Sequence, residues 1–403
     1  YSSAASDVYK RQVVDLWPSL FPIRRLRPVL DPSSGCEVTP FIGRRSSYYI
    51  SISRTTQPSA PGSWLSAVMS TIPARPPAIL YGTAWKAERT AELVHLAFLQ
   101  GFRGIDTAAQ RKHYREDLVG LGVQSACKAL GLSRKDIWLQ TKFTPINGQD
   151  IQGPIPYDPE ANVADQVCSS FKHSLQHLHP AATLPDIRQL LVQYAVSAKN
   201  GSQHQEAPLQ DVYIDSYLFH SPLSTLPATL EAWRVMEALV DAGLVRYIGF
   251  SNVYDPHIFS VLFEKARIKP YVLQNRWHAS TGHDVSLLAQ LSPVLSPNMY
   301  PLSLDSIVDA PRGVTSQPFW TLTGNQRLLQ SECVARLSSR KGLTPAQVVY
   351  AFVSQGMGLL GLSTCVLSGT KDPAHMKEAV EAVQCEPWDD EELASIRRDV
   401  YGE

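Results

Sequence analysis

The chain has 403 residues, and Lys plus Arg balance Asp plus Glu at 37 each, so no net basic field exists to draw nucleic acid or an anionic membrane. No stretch approaches the ~20 consecutive apolar residues of a membrane-spanning helix, because charge, Gly or Pro interrupts every apolar run. A small-molecule partner is therefore the default, with a monomer or weak oligomer as the expected state. The six cysteines (Cys36, Cys127, Cys168, Cys333, Cys365, Cys385) are scattered, with no CxxC pair and no secretory leader pattern. That usage fits free thiols in a reducing compartment and a cytoplasmic location.

Residues 1–77 differ from the rest. They are rich in Ser, Arg and Pro (RRLRPVL, GRRSSYYISISRTTQPSAPGS) and carry no sustained period of 3.6 or 2. They read as a leader rather than a domain, with the natural start expected at Met69. An organellar transit peptide is the alternative, since the segment is basic and Ser-rich, although Asp7, Asp15, Asp31 and Glu37 count against it.

From residue 78 short apolar runs alternate with amphipathic ones. Strands are predicted at Ile79–Gly82, Phe102–Asp106, Ile137–Lys142, Val212–His220, Val245–Ser251, Tyr271–Gln274, Val314–Phe319 and Leu359–Leu367. Helices are predicted at Thr90–Gln100, Glu116–Leu130, Asn162–Leu178, Thr229–Ala242, Pro256–Ala266, Leu328–Lys341 and Pro345–Gln355, with Ser133 and Thr344 as caps and Gly101 and Gly243 as stops. Eight strands alternating with helices specify an α/β fold, a (β/α)8 TIM barrel over residues 78–403, with a doubly wound open sheet as the alternative. Two Pro/Ser/Leu-rich stretches, about 180–210 and 291–312, interrupt the rhythm between a helix and the next strand. They read as retained non-coding sequence or as loop elaborations on the N-terminal face, which governs stability rather than chemistry.

A barrel's active site forms at the C-terminal ends of its strands. Here those ends carry Gly82 and Thr83, Asp106, Lys142, His220, Ser251 and Asn252, then Gln274 and Asn275. One polar strand end is ordinary capping chemistry. Six in succession, with an acid, a lysine, a histidine and the nearby Tyr114, make a proton-transfer constellation. In such a set Tyr114 is the candidate acid, Lys142 supplies positive charge that favours the phenolate, and Asp106 keeps that lysine charged and oriented. His220 is a further candidate hydrogen-bond donor.

The residues GTAW at 82–85, GFRGIDTA at 101–108, Tyr114, QTK at 140–142, YIDSYLFHSP at 213–222, GFSN at 249–252, LQN at 273–275 and GTKDPAHMKEA at 369–379 resemble the aldo-keto reductases, in family order. The subgroup with its tyrosine in a QxKHY stretch is the nearest in pattern. The resemblance implies reduction of an aldehyde or ketone, a small-molecule carbonyl substrate, by NADPH, with NADH not excluded. It maps the catalytic tetrad onto Asp106, Tyr114, Lys142 and His220. It places Ser251, Asn252 and Gln274 on the nicotinamide carboxamide, with Gly82 and Thr83 nearby. Phe319, Trp320 and Thr321 of QPFWTLTGN would cover the pyrophosphate, and Gly369, Thr370, His375 and Glu378 would surround the adenosine end.

The chain departs from that pattern in three places. The tyrosine follows the acid by eight residues instead of five, where Arg111 stands; Ser316 takes the place of an aromatic under the nicotinamide; and the 2′-phosphate pocket retains only Lys371 or Lys377 as cations. Two other readings belong to different classes: a catalytically impaired NADPH-binding regulatory barrel, and a Schiff-base lyase using Lys142, against which Asp106 argues by favouring the ammonium. No metal is expected. His173 and His177 stand at i, i+4 but read as a solvated helix face for want of a third ligand. Gly120 and Gly122 make a fragment of GxGxxG whose third position is Ser125, which is no Rossmann fingerprint.

Overall fold

The computed structural model describes residues 75–199, 211–292, 314–356 and 362–401. Nearly all of the leader over 1–77 lies outside the described residues, as do 200–210 and 293–312 of the two interruptions. Nine parallel strands form a continuous ring: β1 (Ile79–Gly82), β2 (Gly104–Asp106), β3 (Trp138–Phe143), β4 (Ile214–Phe219), β5 (Val245–Ser251), β6 (Val272–Gln274), β7 (Thr315–Ser316), β8 (Ser363–Thr364) and β9 (Val366–Ser368). Their order is β8-β7-β6-β5-β4-β3-β2-β1-β9. Only Cys365 separates β8 from β9, so the last two segments act as one eighth strand: one half pairs with β7, and the other with β1. The closed barrel is the predicted fold, and the open sheet is excluded.

The shell helices are α1 (Thr90–Leu99), α2 (Glu116–Leu130), α3 (Val163–Leu178), α4 (Ile187–Lys199), α5 (Leu226–Asp241), α6 (Pro256–Lys265), α7 (Val285–Leu291), α8 (Gln326–Leu329), α9 (Glu332–Lys341), α10 (Pro345–Gly356), α11 (Pro373–Val383) and α12 (Asp390–Tyr401). Local chemistry accounts for their starts. Asn162 accepts from the Asp165 amide at 2.9 Å, Asp255 and Asp372 cap helices whose first residue is proline, and Thr344 and Gln347 cap each other's amides at α10.

Two boundaries move for the same reason. Thr225 caps α5, so that helix begins three residues before the predicted Thr229, and Ser331 caps α9, so the predicted Leu328–Lys341 helix divides in two; Ser133 is a cap as predicted, closing its capping box on a short 3-10 turn. The predicted seventh strand, Val314–Phe319, keeps ladder pairing only at Thr315–Ser316, with a further bridge from Phe319 to Arg276. Within the first interruption the structure adds α4, a helix the periodicity reading passed over.

Leu80, Leu218, Val272 and Cys365 pack with Trp138 and Tyr271 inside the ring. The rings of Trp138 and Tyr247 stack at 5.6 Å, and those of Tyr247 and Tyr271 approach to 4.2 Å. These aromatics lie toward the strand starts and leave the opposite, C-terminal mouth to polar side chains. Outside the ring, Gly122 and Gly120 let the shell close. A Cβ on Gly122 would meet the Ala91 carbonyl of α1 at 2.6 Å, and one on Gly120 would lie 1.9 Å from the His177 carbonyl of α3. The glycines that suggested a nucleotide loop are thus points of close helix approach. The five cysteines among the described residues are free thiols.

Candidate active site

Parallel register brings the strand ends to one level, Gly82 opposite Asp106, Asp106 opposite Gln140 and Ser251 opposite Gln274. Lys142 is 1% exposed, and its ammonium donates to both carboxylate oxygens of Asp106 at 2.7 Å and to the Thr107 carbonyl at 2.8 Å. All three of its hydrogens are thereby taken up. Burial pulls the lysine below its ordinary range, and the Asp106 charge opposes that pull.

Asp106 anchors more than a lysine. Gln140 and Gln274 each donate to its Oδ1, at 2.8 and 2.9 Å, and both also donate to Gln317, at 2.6 and 3.0 Å. Gln317 returns a hydrogen bond to Gln140 at 3.0 Å. A ring of three glutamines thus fixes the carboxylate's orientation. The sequence reading missed Gln140 and Gln317. For Gln140 a signal existed: it precedes Lys142 by two residues on a strand, which places both side chains on one face.

Tyr114 reaches the same mouth by a tight loop. The Tyr114 amide bonds to the Gln110 carbonyl at 3.0 Å, the Ala109 amide to Lys142 at 3.1 Å, and the Trp85 amide to His113 at 2.8 Å. Gln149 donates to the Ala109 carbonyl at 2.9 Å, and Gln110 to the Gly148 carbonyl, which ties the loop to the next one. These bonds curl the chain back, so the displaced tyrosine faces the cavity while Arg111 turns outward to Asp117 at 3.4 Å. The Lys142 nitrogen lies 5.6 Å from the centre of the Tyr114 ring, and the ring of His220 lies 5.9 Å from it.

The phenol is pushed up, not down, first by burial and then by the Asp106 charge. Paired so closely with Asp106, Lys142 presents little net positive field, and the tyrosine stays protonated at neutral pH. His220 contacts Thr144 through Nδ1 at 2.8 Å, and burial with the Lys142 charge lowers it to about 3, so its imidazole is neutral. The Asn252 amide donates to the His220 carbonyl at 2.8 Å and accepts from the Tyr254 hydroxyl at 2.9 Å.

A cavity of about 570 Å³ opens over these groups. Of the predicted residues it is lined by Gly82, Asp106, Tyr114, His220, Ser251, Asn252, Gln274, Phe319, Trp320, Thr321 and Gly369. Lys142 lies beneath the lining. Thr83 bonds the Asp106 carbonyl at 3.0 Å as a buried link between strands, and the Thr370 carbonyl accepts from Tyr81 at 2.9 Å. His375 and Glu378 do not line the cavity; Glu378 accepts from the α10 cap Thr344 at 3.3 Å. Between the two candidate cations the geometry chooses. Lys371 borders the cavity, while Lys377 pairs with Glu381 at 3.7 Å along α11. Lys86, which sequence reasoning also missed, lines the cavity beside Lys371, donates to the Gly369 carbonyl and is lowered to about 8 by burial and by that neighbour. Ser316 is buried in β7; the aromatic walls are Trp85, Phe319, Trp320 and Tyr350.

The C-terminal mouth of this barrel sets a buried ion pair beside a protonated tyrosine and a neutral histidine, groups able to exchange protons with a bound molecule. The Aldo/keto reductase family matches this chain over residues 205–290. The NAD(P)H-dependent D-xylose reductase of Pachysolen tannophilus is 27% identical over 296 residues, 72% of this chain and 81% of that enzyme. An uncharacterized oxidoreductase of Schizosaccharomyces pombe is 29% identical over 206 residues, which span about half of each protein, 50% of this chain and 53% of the other. In fold, an aldo-keto reductase from a Medee basin deep-sea metagenome library superposes with a TM-score of 0.54 at 21% identity, over 82% of this chain and 93% of that one. A Bombyx mori aldo-keto reductase in complex with NADP does so at 0.53 and 18% identity, over 80% and 88%. The chain is thus similar to the aldo-keto reductases over residues 205–290 and shares their fold.

Proposed function

We propose that this protein reduces an aldehyde or ketone to the alcohol with NADPH, and that Tyr114 supplies the proton. The observation that carries the reading is the loop that returns Tyr114 to the barrel mouth, against both Lys142 and His220. When bound, the reduced nicotinamide supplies the hydride. The cavity's donor set suits such a group: polar side chains of Ser251 and Gln274 in its wall, and two cations, Lys86 and Lys371, for anionic phosphates. Gln274 has its amide nitrogen on Asp106 and Gln317, which leaves its oxygen for a carboxamide N–H. The Asn252 amide is already committed to His220 and Tyr254, so its part is to hold that histidine.

As hydride reaches the carbonyl carbon, negative charge builds on oxygen, and the O–H bond of Tyr114 breaks to protonate it. The phenolate left behind regains a proton from solvent. With the Thr144 hydroxyl donating to Nδ1, His220 carries its hydrogen on Nε2 and donates it to the same oxygen. The Schiff-base alternative fares poorly because Lys142 has no free lone pair and does not line the cavity. The test is Tyr114→Phe. It should bind NADPH with parental affinity, measured by fluorescence titration, and lose about 10²- to 10⁴-fold in turnover across an aldehyde panel. A variant that reduces aldehydes at the parental rate removes Tyr114 from the mechanism. A parent that binds NADPH and reduces nothing favours the regulatory barrel.

A further inference from the structure

We infer that Glu116, His173 and His177 form a binding site for a divalent transition metal of the zinc type, on the helical shell behind Tyr114. Histidines at i, i+4 on α3 share one face, and the third ligand missing from the sequence reading comes from the neighbouring helix. One ligand atom from each residue lies within 4.8 Å of the other two. Zinc bonds of about 2.0–2.2 Å in tetrahedral geometry put ligand atoms roughly 3.4 Å apart, so closure needs about an ångström of side-chain rotation. The His173 ring, half exposed, is free to make it, and the two imidazoles already stand 4.1 Å apart, centre to centre.

Three further features fit a ligand set. Glu116 is buried, and the hydroxyls of Thr141 and Ser174 donate to its two oxygens, an orienting arrangement of the kind that surrounds metal ligands. Among the described residues its only ion-pair partner is His173, at 4.0 Å, so the carboxylate lacks a full counter-charge. Arg111 borders the same small cavity but is engaged with Asp117 and does not supply one. The His177 Nδ1 is buried without a hydrogen-bond partner. Gly120 makes the meeting possible, because its missing Cβ lets α2 approach the His177 carbonyl one helical turn beyond Glu116. Imidazole and carboxylate ligands together select zinc, cobalt or copper over magnesium or calcium.

The experiment is titration of the full chain, under reducing conditions, with cobalt(II) and zinc(II) by calorimetry and visible absorption. One cobalt should bind with the weak bands of nitrogen and oxygen ligation, and zinc should displace it. Thiolate-to-cobalt charge-transfer bands in their place would assign the ion to cysteines and overturn the inference. Glu116→Gln keeps an acceptor for Thr141 and should weaken cobalt by about tenfold or more. His173→Ala, a change at a half-exposed side chain, should do the same if Glu116→Gln fails to fold. Absence of saturable binding, or cobalt affinity unchanged in Glu116→Gln, would reduce the cluster to a surface histidine pair. None of these readouts depends on turnover.

Discussion

Two buried carboxylates lie on opposite sides of β3, and they are solved differently. Asp106, inside the barrel, has the Lys142 ammonium on both oxygens and two glutamine amides besides. Glu116, outside it, has hydroxyl donors alone, and burial pushes it up to about 7. A third, Asp215, is held by Arg134 at 2.6 Å and Arg246 at 3.0 Å. The difference teaches that burial alone does not define a site. A carboxylate paired with a cation is a rigid fixed charge that can orient a neighbour. One left with neutral donors is poised to release a proton or to take up a cation.

The comparison breaks most sharply at Lys142. Lys142→Met leaves Asp106 buried without its cation, with an expected loss of about 3–5 kcal/mol of stability by denaturant titration and abolished turnover. Retention of full stability would mean that the glutamine ring holds the carboxylate without a charge. A smaller effect is expected at Gly120. The Cβ of Gly120→Ala must displace the His177 backbone, which costs about 1–3 kcal/mol and separates Glu116 from the histidines, so cobalt affinity should fall with stability.

The smallest effect sharpens the rule with a carboxylate that lines neither cavity. Asp284 is buried, accepts from Asn275 at 2.7 Å, and is pushed up from 3.8 to about 7. The folded state therefore binds its proton more tightly than the unfolded chain. Its contribution is fully present below about pH 4 and is lost as pH rises through about 7. Asp284→Asn should remove that component. The stability difference between parent and variant, followed by thermal melting from pH 4 to 8, should then shift steadily toward the variant up to about pH 7 and level off above it. A flat difference would show that Asp284 is ionised in the folded protein.

Much of the barrel was legible because it is written locally. Apolar runs ending in Asp106, Lys142, His220 and Ser251 mark where strands stop, and a capping residue followed by proline marks where α6 and α11 start. The boundaries that moved did so at caps, where one hydrogen bond such as that of Thr225 or Ser331 outweighs hydrophobic period. At the site, Asp106, Lys142 and His220 were readable as types at strand ends. Which of Lys371 and Lys377 faces the cavity was not, because the choice depends on how α11 turns after Thr370.

The sequence by itself determined the alternation of strands and helices, the polar strand ends and the family pattern, since each follows from residue order and spacing. Tertiary structure alone decided that Tyr114 reaches the mouth from eight residues beyond Asp106, that Gln317 joins Gln140 and Gln274 around that acid, and that Glu116 meets His173 and His177. The reason is common to all three. Such groups converge through ring closure and helix packing between segments far apart in the chain, and no local period records which segments become neighbours.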